Sequence, residues 1–171
     1  IMTHPQADHM TGFVDVFGSM QVDNFLATGI PHDTEIYKNL ISKIASKDIK
    51  TTQVSQGQSI DFGDGTKALI LWPDASLVNN WQKSQDLNDS SISLKLTYQE
   101  FCAILTGDLP ATFETKLDTG SCPVLKAGHH GSKTSNSDGF LSKVSPKEFI
   151  ISVGHNNRYG HPSPEVVKKV E

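Results

Sequence analysis

Hydrophobic positions along this chain follow two different periods. Apolar residues at 36, 37, 40, 41 and 44 recur at helical spacing, and Asp33 or Thr34 offers an N-cap, which predicts a helix over 34–46. Residues 91–97 alternate apolar and polar side chains, as a strand with one buried face does. The apolar run 100–105 predicts a second strand, joined to the first by a hairpin at Tyr98-Gln99.

Shorter segments of both kinds fill the rest of the chain. Further strands are expected at 23–28, 51–54, 59–62, 67–72, 124–127 and 148–153. Further helices are expected at 10–20, 112–117, 139–144 and 164–170, and the polar segment 76–88 predicts a loop. Because no repeat or linker interrupts this alternation, the sequence predicts a single domain, residues 1–171, that contains both helices and sheet.

Composition narrows the class of protein. The chain has 171 residues, of which 36% are hydrophobic and 20% charged, typical of a soluble globular domain. No apolar run approaches the roughly 18 residues of a membrane helix, so no membrane segment is predicted. The net charge of −4 gives no sign of the basic patch of a nucleic-acid binder. Cys102 lies in an apolar run and is predicted to be a buried small hydrophobe, with a disulfide to Cys122 as the alternative.

Histidine placement is the strongest chemical signal. Five of the seven histidines follow strand-like runs or Gly-rich turns, where sites are usually built: His4, His9, His129, His130 and His161. In an extended chain His4 and Gln6 point to the same side, and a turn after residue 7 brings Asp8 and His9 toward them. Imidazole and carboxylate together suit a divalent metal such as Zn²⁺.

Four ordered sequence blocks carry a resemblance to a known family. They are His4-x-Gln6-x-Asp8-His9; Asn88-Asp89-Ser90-Ser91 with Leu105-Thr106-Gly107-Asp108; Ala127-Gly128-His129-His130-Gly131-Ser132-Lys133-Thr134-Ser135; and Asn157-Arg158-Tyr159-Gly160-His161-Pro162. This succession resembles the metallo-β-lactamase superfamily, whose metal motif is His-x-His-x-Asp-His. Within it, the blocks are similar to the metallo-β-lactamase domain of ComEC-type competence proteins and their free-standing relatives.

The resemblance implies a fold and a set of ligands. The implied fold is an α+β, metallo-β-lactamase-type αβ/βα sandwich, here lacking the N-terminal strands that precede the first motif in the family. The implied metal ligands are His4, Gln6, Asp8, His9, Asp108, His129 and His161, with Asp108 shared between two ions. Since adjacent side chains diverge, one of His129 and His130 is expected to be a ligand; we favour His129 and leave His130 for catalysis.

Gln6 departs from the family motif, which has histidine at this position. An amide oxygen is a poorer zinc ligand than imidazole, and a harder ion such as Mn²⁺ tolerates it better. The sequence therefore predicts Zn²⁺ or Mn²⁺, with one ion held firmly by Asp8, His9, Asp108 and His161. The second ion, near His4 and Gln6, is expected to be weak or absent.

The activity implied by the resemblance is hydrolysis of a phosphodiester, with DNA as the expected substrate, by a water that the metal activates. Asp8 and Asp108 would orient that water, and His130 would assist the leaving group. The residues expected to contact substrate are Ser132, Lys133, Arg158 and Asn88. By resemblance the domain lies at the extracytoplasmic face of a bacterial membrane, or in the cytoplasm if it is free-standing.

Two alternatives stay open at this stage. The lack of net basic charge favours a hydrolase of another bond, such as a lactam or thioester. Gln6 and the early start of the first motif favour a degenerate domain that binds metal without turnover.

Missing strands would also expose a sheet edge, through which the chain is expected to form a homodimer.

Overall fold

The computed structural model describes residues 1–82 and 85–171, in which eight strands and six helices alternate. The strands are β1 (Asn24–Ala27), β2 (Lys50–Gln53), β3 (Ser59–Asp61), β4 (Thr66–Trp72), β5 (Ser93–Tyr98), β6 (Phe101–Leu105), β7 (Val124–Lys126) and β8 (Glu148–Ile150). The helices are α1 (Ala7–Ser19), α2 (Glu35–Ser46), α3 (Ala75–Asn79), α4 (Ala111–Glu114), α5 (Asp138–Val144) and α6 (Pro164–Val170).

The strands form a small sheet and a large one. Strands β1 and β2 pair in parallel, and the large sheet has the order β3-β4-β5-β6-β7-β8. Pairing is antiparallel from β3 to β6, whereas β7 and β8 are added in parallel. The parallel part matters for function, because the carboxyl ends of β6 and β7 lead directly into chain segments that carry aspartate and histidine.

Three clusters of buried side chains lie between the layers. The first packs α1 and α2 against the small sheet: Met10, Phe17, Phe25, Leu40 and Ile44. The second joins the small sheet to one face of the large sheet through Leu26, Val54, Ala68, Ile70 and Leu94. The third lies on the opposite face, against α4 and α5: Ile104, Leu117, Leu125, Phe140 and Val144. Helices therefore cover the outside of two sheets whose inner faces meet, the arrangement expected of an αβ/βα sandwich.

The long periodic elements agree with the sequence predictions, and the differences have local causes. Helix α2 begins after Thr34, whose side chain accepts a hydrogen bond from the Tyr37 N–H. Helix α1 begins at Ala7, three residues before the predicted start, so Asp8 and His9 lie in its first turn. The segment 76–88 was predicted to be a loop, but its first residues belong to helix α3, where the Asp74 side chain accepts a hydrogen bond from the Ser76 N–H. Residues 83–84 of this segment lie outside the described residues.

The prediction for Cys102 was wrong. Its side chain is half-buried and forms a disulfide with Cys122, whose Cα lies 5.6 Å away. Cys102 lies on β6 and Cys122 lies just before β7, and these strands are paired neighbours, which brings the two thiols together. Sequence spacing of 20 residues does not reveal this contact, because it depends on the parallel pairing of the strands.

Strand β8 is an edge of the large sheet, and its Ile150 is exposed. An exposed strand edge is the feature on which the homodimer prediction depends, and that association stays a prediction. Among the described residues, no helix has the length and hydrophobicity that crossing a membrane requires.

Candidate metal centre

The centre is built from segments that leave the sheets or precede α1. His4 belongs to an extended segment that is held at two points: Met2 N donates to Leu26 O, and Ile92 N donates to Thr3 O. This segment then turns into α1, which supplies Asp8 and His9 from its first turn. Asp108 follows β6, and the 3₁₀ turn Gly128–Gly131, called here the histidine turn, follows β7.

Four side chains converge so closely that one ion could touch them all. A donor atom from each of Asp8, His9, Asp108 and His130 lies within 4.8 Å of the others. The His9 Nε2 atom is 3.2 Å from Asp108 Oδ2 and 3.3 Å from His130 Nε2. The His130 Nε2 atom is also 3.5 Å from Asp8 Oδ2. Two carboxylates and two imidazoles in this arrangement are a donor set suited to a divalent cation.

Asp108 is the most buried member of this group, with only 1% of its side chain exposed. Neither carboxylate oxygen has a hydrogen-bond partner of normal geometry among the described residues. Burial by itself would raise its pKa, but the neighbouring His9, with His129 and His4, lowers the pKa to about 2. A buried, ionised carboxylate is costly unless a cation neutralises it, so the surroundings of Asp108 fit a metal.

Gly107 permits the close packing that positions this aspartate. Its φ is +57°, and a Cβ at this position would lie 3.1 Å from the Cβ atoms of Ser91 and Thr3. The next residue, Asp108, donates its backbone N–H to Ser91 Oγ. A larger residue at 107 would therefore separate the aspartate from the segment that carries His4.

Hydroxyl groups support the histidines of the first motif. Thr3 Oγ1 lies 3.1 Å from His4 Nδ1 and 3.2 Å from His9 Nδ1, and Ser91 Oγ lies 3.2 Å from His4 Nδ1. The contact at Nδ1 of His9 leaves its Nε2 as the atom that faces the carboxylates of Asp8 and Asp108. Neither Thr3 nor Ser91 was among the predicted site residues, although Thr3 precedes the first motif and Ser91 ends the block Asn88-Asp89-Ser90-Ser91.

His4 is fully buried, and its Nε2 atom has no hydrogen-bond partner among the described residues. Desolvation, followed by the nearby His9 ring, lowers its pKa to about 4, while a hydrogen bond with Gln6 acts in the opposite direction. Its ring centroid is 4.2 Å from that of His9. His4 therefore lies beside the four converging side chains as a neutral imidazole, although it is not one of the four.

Gln6 lies at the junction between the centre and a cavity of about 570 Å³. Trp81, His32, Gln85 and Asp86 also line this cavity. The structure thus gives Gln6 a position next to His4, as the motif predicts, while one side of the residue faces open space.

The histidine turn brings both of its histidines toward Asp108. His129 and His130 have φ values of +48° and +55°, and Gly131 follows with φ of +82°. The His129 Nε2 atom is 3.5 Å from Asp108 Oδ2, and the His130 Nε2 atom is 3.7 Å from it. The expected divergence of adjacent side chains does not occur, because two consecutive left-handed residues do not follow the alternation of an extended strand.

The two histidines differ in their outer contacts. His130 Nδ1 lies 2.9 Å from Ser152 O, and since a carbonyl only accepts, Nδ1 carries the proton and Nε2 is left with its lone pair. His129 Nδ1 lies 3.2 Å from Thr134 Oγ1. The structure places His130 in the converging group and His129 at its border. Which of the two is the ligand remains a prediction.

His161 lies on the far side of His129, with the two ring centroids 5.7 Å apart. Asn157 orders the loop that carries it: Asn157 Oδ1 accepts from His161 N, and Asn157 Nδ2 donates to His161 O. Desolvation and then the nearby His129 and His130 lower the pKa of His161. His161 thus borders the centre but is outside the group of four.

The four residues predicted to bind substrate have different positions. Lys133 and Arg158 are exposed, and Arg158 donates to Tyr159 OH. Ser132 is buried, and its hydroxyl lies 2.9 Å from Thr134 Oγ1, so it contributes to the turn itself. Asn88 is buried, and its Oδ1 has no hydrogen-bond partner among the described residues.

Comparisons with known proteins show what the chain is similar to. No family model matches it. The whole chain is 28% identical, over 180 aligned residues, to ComE operon protein 3 of Bacillus subtilis strain 168, of which it covers 22%. It is also 37% identical over 95 residues, 52% of the chain, to competence protein ComA of Neisseria gonorrhoeae, of which it covers 14%. The chain therefore spans less than a quarter of the length of these relatives.

Among solved structures, CmlA, a diiron β-hydroxylase from Streptomyces venezuelae, has a similar fold. The TM-score is 0.61 at 10% identity, and the match covers 98% of this chain and 40% of CmlA. The resemblance to competence proteins is confirmed. The predicted α+β fold of metallo-β-lactamase type is confirmed as well.

Proposed function

We propose that this domain is a metal-dependent phosphodiesterase that cleaves DNA. The observation that carries the proposal is the convergence of Asp8, His9, Asp108 and His130, in which the buried carboxylate of Asp108 has no regular hydrogen-bond partner among the described residues. The similarity to competence proteins supports a DNA substrate. A bound Zn²⁺ or Mn²⁺ would supply an acidified water and polarise the scissile oxygen.

The protein's own groups divide the remaining tasks according to their burial. Asp108 is buried and ionised, so it acts as the fixed negative charge that holds the cation. Asp8 is exposed at the mouth of the centre, 3.5 Å from His130, where it can orient the attacking water and accept its proton. Asp8 thus keeps the water-orienting role expected from the sequence, and Asp108 keeps its expected role as a metal ligand.

The contacts of the two turn histidines support exchanging their expected roles. His130, whose Nδ1 proton is held by Ser152 O, presents a lone pair to the converging group and is the better ligand. His129 borders the group and can donate a proton to the leaving oxygen.

Basic side chains near the centre can neutralise a phosphodiester. Lys133 is the second residue after the histidine turn, and Arg158 lies three residues before His161. Lys126 lies on β7; burial lowers its pKa, and the charge of Asp108 opposes that change. These three cations are the groups that we expect to contact the phosphodiester, although the chain as a whole carries a net charge of −4.

The test is cleavage of labelled single-stranded and double-stranded DNA by the purified protein, with added Mn²⁺ or Zn²⁺ and with a chelator. We expect cleavage that needs the metal and that Asp8→Asn reduces about 100-fold, in the range of a lost general base. The matched control is Asp15→Asn, which removes another exposed carboxylate of α1 and should leave cleavage unchanged.

A chromogenic lactam and a thioester are assayed in parallel. Turnover of either without DNA cleavage would replace the phosphodiester proposal with a hydrolase of another bond. Metal binding without any turnover would support a degenerate domain.

A further inference from the structure

The histidine turn has a backbone conformation that its own sequence does not favour. His129 and His130 are consecutive non-glycine residues with positive φ, a conformation that is unfavourable for residues with a Cβ. Such strain persists only where surrounding contacts determine the backbone. The question is which residues hold the turn.

Asn136 ties together the two ends of this turn. Its Oδ1 accepts from Gly128 N at 2.8 Å, and its Nδ2 donates to Gly128 O at 3.0 Å and to Ser132 O at 3.2 Å. The side chain is fully buried, so water cannot replace these three bonds. Asn136 thus fixes the residues on either side of His129, His130 and Gly131.

Asn136 is itself held by a second buried group. Its backbone N–H donates to Glu114 Oε1 at 2.6 Å, and the N–H and hydroxyl of Ser137 donate to Glu114 Oε2 at 2.8 Å and 2.7 Å. Glu114, at the end of α4, is fully buried. The contacts therefore run from α4 through Asn136 to the turn, without touching a metal-binding atom.

The same turn also contacts the loop that carries His161. Gly131 O accepts from Ser163 N at 2.9 Å, and a Cβ at position 131 would lie 2.8 Å from Pro162 Cβ. A shift of the turn would therefore move His129, His130 and the neighbourhood of His161 together.

We propose that Asn136 is the positioning residue of the metal centre, and that Glu114 holds it in place for this role. The inference rests on the metal centre of the proposed function. Without the side chain of Asn136, Gly128 and Ser132 lose their buried partners, and the histidine turn relaxes toward ordinary dihedral angles. The Nε2 atoms of His129 and His130 then leave Asp108.

The decisive variant is Asn136→Gly, because Asn136 itself has a φ of +65° that glycine adopts freely. This substitution removes the three side-chain hydrogen bonds and leaves the backbone unstrained. Glu114→Gln removes an acceptor of the backbone N–H groups while keeping the shape of the side chain. The control is Val144→Ala, which removes buried volume from the neighbouring helix α5 without contacting the turn.

Affinity for Co²⁺ or Mn²⁺ and thermal unfolding are measured for all four proteins. We expect Asn136→Gly to weaken metal binding by about 10–100-fold, as lost supporting contacts do, with a smaller loss in Glu114→Gln. Val144→Ala should lower the unfolding temperature at least as much and change metal affinity little. Equal losses of affinity in Asn136→Gly and Val144→Ala would overturn the proposal, as would unchanged affinity in Asn136→Gly.

A metal-free readout separates this inference from the proposed function. If the wild-type chain binds no metal, the proposed function fails, but the imidazole NMR signals of His129 and His130 still report their orientation. We expect these signals, and the exchange of the His130 Nδ1 proton, to change in Asn136→Gly and not in Val144→Ala. Unchanged signals in Asn136→Gly would refute its positioning role.

Discussion

The two halves of the candidate metal centre are held by different kinds of structure. The N-terminal half (His4, Asp8 and His9) stands on an extended segment and the first turn of α1, both ordinary backbone. The C-terminal half is the histidine turn, whose positive φ values are maintained by the buried Asn136. In the first half the backbone conformation is ordinary for its residue types, whereas the second half needs consecutive left-handed residues that Asn136 holds in place.

Asp108 joins the two halves, since it lies 3.2 Å from His9 and 3.5 Å from His129. Asp108→Asn should therefore have the largest effect on metal binding, because both halves of the centre lose the negative charge that they share. We expect metal affinity to fall by more than about 100-fold, beyond the effect of losing a supporting contact. Titration with Mn²⁺ measures this, with the exposed Asp118→Asn as control; an affinity close to wild type would contradict the assignment of Asp108 as a ligand.

Gln6→His restores the family motif in the N-terminal half and tests whether this half can then hold a second ion. An imidazole beside His4 should bind a second ion at least about 10-fold more tightly than the amide does, since histidine is the better ligand for Zn²⁺. Elemental analysis after dialysis should show more metal per chain. Gln85→His, which places histidine on the same cavity, is the control. No gain in Gln6→His would favour a degenerate centre.

The two halves differ in how many histidines a supporting threonine hydroxyl contacts. Thr3 contacts two histidines, whereas Thr134 contacts His129 alone. Valine keeps the shape of threonine and removes the hydroxyl, so Thr3→Val should weaken metal binding about 10-fold and Thr134→Val by less. Isothermal titration of both variants measures the two losses of metal affinity. A larger loss in Thr134→Val than in Thr3→Val would contradict this prediction.

A separate prediction concerns the stability of the metal-free protein. Burial lowers the pKa of His4 from 6.5 to about 4. Between pH 6.5 and pH 4 the imidazole of His4 is protonated in the unfolded chain but neutral in the folded chain. The free energy of unfolding therefore decreases as pH falls through this range. His4→Asn should remove up to about 3 kcal/mol of this pH dependence. Urea unfolding at pH 7 and at pH 4.5 measures it, and an equal dependence in both proteins would contradict the burial argument.

The same contrast explains what the sequence could predict. His4, Asp8, His9 and Asp108 stand at positions that local patterns and the family motif both indicate, and the structure brings His9, Asp8 and Asp108 together as expected. The positions of α2 and of β5 with β6 follow from period and capping alone. Helix α2 and the β5–β6 hairpin depend on residues close together in the chain, whereas the approach of Asp108 to Asp8 and His9 was expected from the family motif.

Features that depend on long-range contacts were not predictable in this way. The Cys102–Cys122 bond follows from parallel strand pairing, and the convergence of His129 and His130 follows from positive φ values that Asn136 enforces from outside the turn. Asparagine is common in turns, so its side-chain contacts carry no signal in a single sequence. The buried Glu114 is equally inconspicuous beside the exposed glutamates.

The central claim is that one divalent ion is held firmly among Asp8, His9, Asp108 and His130. Anomalous diffraction from a crystal soaked in Mn²⁺ tests it most directly. We expect a single strong peak at bonding distance, roughly 2.0–2.2 Å, from the donor atoms of Asp108 and His130. A map without a peak at these side chains, or with two equally occupied ions, would contradict it.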